Sequence, residues 1–457
     1  MKLKFDAIII GTGQAGPSLA VKLANEGMKV AIVERELFGG TCVNTGCTPT
    51  KTLVASARVA YIARRSREFG VLTDEFITMD MKRVKARKDS VVKQSNEGIE
   101  NWLRNTKNLS VYIGHARFED VDSIRVKENL LKAERIFINV GGRANIPAGF
   151  QNVDYFTNSS IMQVDFLPEH LIIVGGSYIG LEFGQIYRRF GSKVTVIEKG
   201  PRLLQREDED ISECIMEILE NESINFRLNA ECISGGMQNG NLVVDVDCRS
   251  GERQVVGTHL LLAVGRQPNT DDLGLEKAGI ETDERGYIKV NNQLQTNVSE
   301  IWALGDCNGR GAFTHTSYND FEIVAANLLE SEKREVSDRI QCYALYIDPP
   351  LGRVGMTENE LRKSGRRALI ATRAMSQVSR AVEKGETQGF MKVLVDADSK
   401  EILGAAVLGV GGDEIIHSLL DVMYAKAPYT VIQRAVHIHP TVTELIPTML
   451  SELHPFN

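Results

Sequence analysis

Apolar runs and helical patterns alternate along the chain, and the same grammar occurs twice. Residues 7–10 (Ala7-Ile8-Ile9-Ile10) read as a buried parallel strand, 17–26 as the helix after it, and 29–34 as a second strand. The succession returns at 171–174, 178–190 and 193–198. In both units the acidic residue closing the second strand stands at the same offset from the first glycine, 11 to 34 and 175 to 198. That spacing marks a repeat of whole domains, because a solenoid would repeat every roughly 20–50 residues. Between the units, 118–139 predicts short strands and a hairpin, and 300–304 predicts an apolar strand ending at Gly305-Asp306. The pattern changes near residue 341. Segments 390–395 and 402–409 alternate across a turn as antiparallel strands do, and 413–427 predicts one amphipathic helix with Ile415, Ile416, Leu419, Leu420 and Met423 on its apolar face.

Composition narrows the class. A chain of 457 residues is too long for one core, since single cores stop growing near about 250–300 residues. Hydrophobic content of 43% with 25% charged residues suits a soluble enzyme. A net charge of −7 argues against a general nucleic-acid binder, which needs clustered Lys and Arg for phosphates. The basic run Arg64-Arg65-Ser66-Arg67 is expected to decorate a solvated helix face. No apolar stretch approaches the roughly 20 residues of a membrane span, and the apolar run before Gly11, interrupted by Asp6, is too short for a signal-peptide core. The seven cysteines are an odd number and five lie scattered at no regular spacing, a pattern that suits a reducing cytoplasm.

Gly11-Thr12-Gly13-Gln14-Ala15-Gly16 has the G-x-G-x-x-G form between a strand and a helix. Gly11 permits the tight turn, Gly13 admits a pyrophosphate, and Gly16 lets helix pack on strand. The helix N-terminus offers donors to phosphate, and Glu34 lies at the distance that suits adenosine ribose hydroxyls. In Gly175-Gly176-Ser177-Tyr178-Ile179-Gly180, Ser177 takes the place of the middle glycine. Either this unit binds a second dinucleotide with a tightened approach, or it is a degenerate unit that binds nothing. Strand, helix and Glu198 favour binding. Glu198 would accept from a free 2′-hydroxyl, which favours NADH; Lys199 and Arg202 nearby leave NADPH open.

The densest chemistry lies in Gly39-Gly40-Thr41-Cys42-Val43-Asn44-Thr45-Gly46-Cys47-Thr48-Pro49-Thr50-Lys51. Cysteines so spaced around Gly46 can close a small disulfide loop. Pro49 fits the first turn of a helix running on to residue 63. Cys47 then sits at a helix N-terminus, where thiolate is favoured, with Lys51 one turn along. A static disulfide or half a metal site are the bland alternatives. The first suits a cytosolic protein poorly, and the second lacks a matching pair.

This segment resembles the active-site signature of the class I pyridine-nucleotide-disulfide oxidoreductases, which include dihydrolipoamide dehydrogenase, glutathione reductase and mercuric reductase. The resemblance runs through Leu181-Glu182, Val264-Gly265-Arg266-Gln267-Pro268-Asn269, Ala303-Leu304-Gly305-Asp306 and His439-Pro440-Thr441-Val442-Thr443-Glu444. It implies an α/β fold of two Rossmann-like dinucleotide-binding domains and a C-terminal α+β dimerisation domain. The implied division is 1–143 and 269–340 for FAD, 144–268 for NAD(P) and 341–457 for dimerisation. FAD would lie on Gly11, Gly13, Gly16, Glu34, Gly40, Thr41, Ala116, Gly141, Gly305 and Asp306, the last bonding the ribityl chain. NADH, or alternatively NADPH, would lie on Gly175, Ser177, Gly180, Glu198 and Gly265. Lys51 would stand beside the flavin and pair with Glu182.

By the same resemblance, Cys47 would be the charge-transfer thiolate and Cys42 the interchange thiol. His439, oriented by Glu444, would be the acid–base and would reach the cysteines of the other subunit, making the homodimer a functional requirement. Histidine suits this work near neutrality. The acceptor is the least determined part. A dihydrolipoamide-type or other small-disulfide reductase leads; an NADH-driven metal-ion or oxidant reductase, and a docking subunit of a 2-oxoacid dehydrogenase complex, are the alternatives. The segments 348–357 and 375–381 resemble a bacterial branch of mercuric-reductase-like and reactive-chlorine-resistance flavoproteins. No cysteine follows Cys342, so the terminal pair typical of mercuric reductases is missing from this sequence.

Overall fold

The computed structural model describes residues 2–73, 76–248 and 252–456. The first unit opens with β1 (Lys2–Ile10), α1 (Ala15–Asn25) and β2 (Val30–Glu34). All five β2 residues are buried, as a strand covered on both faces requires. A short helix α2 (Gly40–Asn44) then leads to α3 (Cys47–Arg64), so the second cysteine is the first residue of an 18-residue helix. Next comes α4 (Met81–Asn105), a 25-residue helix that the hydrophobic pattern does not announce. It buries only Met81, Val84, Lys88 and Leu103. Its start is fixed by Asp80, whose side chain accepts from Arg83 N at 3.1 Å, and Lys88 is buried with its ammonium on Met162 O at 2.7 Å.

Then follow β3 (Leu109–Ile113), β4 (Ala116–Asp120), β5 (Ser123–Val126) and β6 (Asn129–Ile138). The hairpin expected over 118–139 is present as β4 and β5, but β6 is more than its last strand. It runs parallel to β1 from Lys2↔Leu130 to Ile10↔Ile138 and lies in the middle of the order β3-β2-β1-β6-β5-β4. The chain leaves this sheet through β7 (Gly142–Ala144).

The second unit is a parallel sheet of β8 (His170–Val174), β9 (Lys193–Ile197), β10 (Ile224–Arg227) and a later strand, with α5 (Tyr178–Phe190) after β8 and α6 (Glu209–Asn221) before β10. An antiparallel ribbon of β11 (Ala230–Gln238), β12 (Asn241–Cys248) and β13 (Gln254–Gly257) precedes that later strand, β14 (His259–Leu262), giving the order β10-β9-β8-β14. The chain returns through β15 (Arg266–Pro268), which pairs antiparallel with β7. The outgoing and incoming crossings are thus hydrogen-bonded to each other. The expected strand at 300–304 is β16 (Ile301–Ala303), which joins the first sheet beside β6, and α7 (Thr314–Leu329) packs against α1.

The C-terminal sheet is antiparallel, in the order β17-β18-β21-β20-β19-β22: β17 (Cys342–Leu345), β18 (Leu351–Gly355), β19 (Ala368–Ala374), β20 (Phe390–Asp396), β21 (Ile402–Leu408) and β22 (His454–Pro455). The single helix expected over 413–427 is two, Gly412–Ile415 and His417–Tyr424. At the joint the Ile416 carbonyl accepts from both Leu419 N and Leu420 N, a local tightening, while the buried Ile416 side chain sits over Gly352. The basic run is also not merely solvated. Arg64 donates to Arg189 O in the second unit, and Arg65 donates to Gly385 O at 3.0 Å in the third. Among the described residues no helix is long and apolar enough to cross a membrane.

Candidate active site

The C-terminal ends of β1, β2 and β6, with α2, α3 and the segment after β16, enclose a cavity of about 1120 Å³. Ligands of parallel sheets gather at these strand ends. Gly11, Gly13, Glu34, Gly40, Thr41, Cys42, Cys47, Lys51, Ala116, Gly141, Glu182 and Asp306 all line it. Gly16 does not: a Cβ there would collide with the Gly11 carbonyl oxygen, so its smallness serves helix–strand contact. A Cβ on Gly13 would meet no protein atom nearer than 3.3 Å. That neighbour is the side-chain amide of Asn139 and not a backbone carbonyl, so the protein constrains position 13 less tightly than 11 or 16, and the cavity has room for a dinucleotide. Gly40, at φ 58°, has room only for a hydrogen beside Gly13 Cα. Glu34 accepts from Thr12 N at 3.0 Å and Glu36 N at 2.9 Å, which sets its carboxylate at the lip of the glycine loop. Gly305 lies behind the wall, its N–H donated to Asp320 at 2.8 Å.

Asp306 is pushed upward in pKa by burial, which the guanidinium of Arg266, at 3.7 Å, opposes. Arg266 and Asn139 were not singled out by sequence as site residues, yet both line the cavity. Asn139 Nδ2 donates to Gly13 O at 3.1 Å and so props the loop from below. The available signal was its place at the end of β6, the strand whose central position was not foreseen.

The two cysteines meet as free thiols at the inner wall. Cys47 is lowered to about 6 by a hydrogen bond from Cys42, opposed by burial and aided by the Thr314 hydroxyl and the Lys51 charge, with Glu182 acting against. The position of Cys47 at the N-terminus of α3 favours thiolate in the same sense. Cys42 moves the other way, first because it gives its hydrogen bond to Cys47 and then through burial. The pair thus divides into one ionising and one protonated sulfur.

Lys51 Nζ lies 2.8 and 3.0 Å from the Glu182 oxygens and 4.5 Å from the centre of the Tyr346 ring. Glu182 also accepts from Tyr346 N at 3.0 Å. One buried carboxylate on α5 is therefore bonded to α3 of the first unit and to the segment after β17 of the third.

The second glycine loop lies behind this wall. Cβ atoms on Gly175 or Gly180 would collide with the carbonyls of Ala263 and Gly175, as at Gly11 and Gly16. Ser177 caps α5 in extended conformation. Glu198 accepts from Gly176 N and Gly200 N, both at 2.8 Å, and from Gln205 at 2.9 Å. Gly265 turns at φ 103° between β14 and β15. Between the two loops stands an aromatic group: Tyr178 meets Phe313 and Tyr343 edge-on, at 5.9 and 5.6 Å. Tyr178 is pushed up to about 12, mainly by burial.

His439 and Glu444 form their pair, Nδ1 lying 3.0 Å from each carboxylate oxygen. Within one chain they are not brought to the cysteines: they do not line the cavity, and the imidazole is 76% exposed. Val436 and Ile438 beside it are 100% and 80% exposed, an apolar surface of the sort that marks an interface. His437 Nδ1 lies 3.2 Å from Ala435 O.

This architecture, two dinucleotide-type units around a dithiol that opens into the cavity, defines a class of flavoprotein disulfide reductases, and sequence comparison agrees. Residues 5–320 match the pyridine nucleotide-disulphide oxidoreductase family and residues 342–450 match the dimerisation domain of the same family. The chain belongs to that family; it is an oxidoreductase working with a flavin, a pyridine nucleotide and a disulfide, and it carries the dimerisation domain. It is 37% identical to the probable pyridine nucleotide-disulfide oxidoreductase RclA of Escherichia coli, over 98% of this chain and 99% of the relative. It is 31% identical to a dihydrolipoyl dehydrogenase of Thermus scotoductus, covering 98% and 97%. The solved HOCl-induced flavoprotein disulfide reductase RclA superposes with a TM-score of 0.89 at 36% identity, covering 98% of this chain and 99% of that one; a second structure of it is a Cu(II) complex.

Proposed function

We propose that the protein is a homodimeric reductase that takes electrons from NADH through FAD to the Cys42–Cys47 pair, and from there to a small oxidised acceptor. FAD would lie on the loop at Gly11, Gly13 and Gly16, with Glu34 toward its ribose and Asp306 toward its ribityl chain; NADH would lie on the loop at Gly175, Ser177 and Gly180 with Glu198. FAD, when bound, supplies two-electron transfer between nicotinamide and sulfur. Cys47 holds the negative charge left by opening the disulfide, and Cys42 keeps a proton until it attacks the acceptor. His439 of one subunit, with Nδ1 on Glu444, takes and returns the Cys42 proton of the other. Segments 1–143 with 269–340, 144–268 and 341–457 are the corresponding domains, and the cytoplasm is the compartment.

The observation that carries this reading is the placement of Cys47 in the same cavity as Gly13 and Glu34, at a helix start and next to Lys51. For the acceptor, full-length similarity to a relative described as HOCl-induced and solved with Cu(II) favours a metal ion or an oxidant as substrate over lipoamide. The test is anaerobic NADH titration of the flavin-loaded protein, followed by NADH turnover with Cu(II), lipoamide (the oxidised, disulfide form of dihydrolipoamide) and small disulfides. The expected result is two-electron uptake beyond the flavin's own, absent in Cys42→Ser. Equal uptake by that variant would overturn the reading. NADH turnover with dihydrolipoamide's oxidised form but not with Cu(II) would reverse the order of acceptors.

A further inference from the structure

Asp306 belongs to a single tight turn, Gly305–Asn308, and is the member of it that lines the cavity. Gly305, Cys307 and Asn308 are buried on the protein side. What aims the turn lies behind it, on α7. There Asp320, 2% exposed, accepts from Gly305 N at 2.8 Å and from Asn308 Nδ2 at 3.0 Å, both on Oδ2. One oxygen thus grips the turn on both sides of Asp306. Asn308 Nδ2 also donates to Ala303 O at 2.9 Å, which ties the turn to the end of β16. Gly305, at φ 72°, lets α7 come this close, since a Cβ there would meet Ser317 Oγ at 2.9 Å.

The other oxygen of Asp320, Oδ1, accepts from Arg339 Nη2, and Arg339 Nε donates to Asn319 Oδ1 at 2.9 Å. The two side chains of this ion pair are 10% and 3% exposed. A buried ion pair is a poor source of net stability, because desolvation cancels most of the attraction. Its service is better sought in what it holds still. The charge of Asp320 also works against that of Asp306, and Arg339 balances it. Arg339 stands in the connector to the C-terminal unit, where the next residue, Ile340, donates its N–H to Tyr424 Oη at 3.2 Å. We propose that Arg339 and Asp320 are positioning residues for the flavin site, fixing Asp306 through the two ends of its turn, so that the connector to the dimerisation domain helps to hold the cofactor.

The inference rests on the assignment of Asp306 to FAD in the preceding subsection. The test measures FAD dissociation constants by diluting the holoenzyme and following the fluorescence of released flavin. Arg339→Gln should weaken FAD roughly tenfold, and Asp306→Asn at least as much. The variant carrying both should lose no more than Asp306→Asn alone, because the ion pair acts through that carboxylate. Should Arg339→Gln fail to fold, Asn308→Ala takes its place, alone and with Asp306→Asn. It loosens the turn, leaves the ion pair intact and should weaken FAD several-fold. Wild-type affinity in Arg339→Gln, or in Asn308→Ala where that replaces it, would overturn the proposal. So would losses that multiply in the double variant, the mark of general destabilisation. Wild-type affinity in Asp306→Asn would instead remove the assignment of Asp306, and a wild type that holds no flavin would remove the proposed function itself; in either case this inference falls with it.

Discussion

The two glycine loops are built on one plan and differ at one of the motif's three glycine positions. In each, the first and third glycines are held by the protein itself: added Cβ atoms would strike the carbonyls of Asn139 and Gly11 in the first loop, and of Ala263 and Gly175 in the second. The middle position is different. A Cβ on Gly13 would meet only the Asn139 side-chain amide tightly, at 3.3 Å, and the second loop carries Ser177 there. The outer glycines are thus required by backbone carbonyls, while the middle position is limited by one side chain that can shift. The acidic partners differ as well. Each accepts from a loop N–H and from the N–H two residues on, Thr12 and Glu36 for Glu34, Gly176 and Gly200 for Glu198, but Glu34 adds the Thr12 hydroxyl where Glu198 adds a side chain seven residues on, Gln205.

The contrast can be broken from several directions. Gly16→Ala and Gly180→Ala should be most costly, each destabilising by about 2–3 kcal/mol through backbone collision, with similar losses in urea unfolding of the two variants. Unequal losses would show that the loops are not mechanically alike. Gly13→Ser should leave unfolding unchanged and weaken flavin retention roughly tenfold, about 1.4 kcal/mol, measured by equilibrium release of flavin. Its mirror, Ser177→Gly, should change stability little and tighten NADH by a few-fold, about 1 kcal/mol or less; a weakened NADH affinity would show the serine to be a contact and not an obstruction.

Much of the site could be read from the chain because the motifs are local. The glycine loops, the cysteine loop and His439 with Glu444 are each set by a spacing within one turn or one strand–helix junction. The residues that sequence reasoning overlooked act across long separations. Asn139 props a loop 126 residues away, and Thr314 reaches a cysteine 267 residues away. No spacing rule reports such contacts. The helix α4 escaped for another reason: only four of its 25 residues are buried, so its apolar stripe is too thin to stand out from its charges. Likewise the arginines at 64 and 65 looked solvated because their acceptors are backbone carbonyls of distant segments.

Glu182 joins the cysteine helix, the nucleotide-side helix and the C-terminal unit at one carboxylate. Its consequence is a shared frame of reference: a rotation of any one unit pulls on the other two through the same pair of oxygens. Donor and acceptor ends of the electron path are thereby kept in register even while the outer parts of each unit move. Damage at this joint would first show as slower electron passage between sites that still hold their ligands.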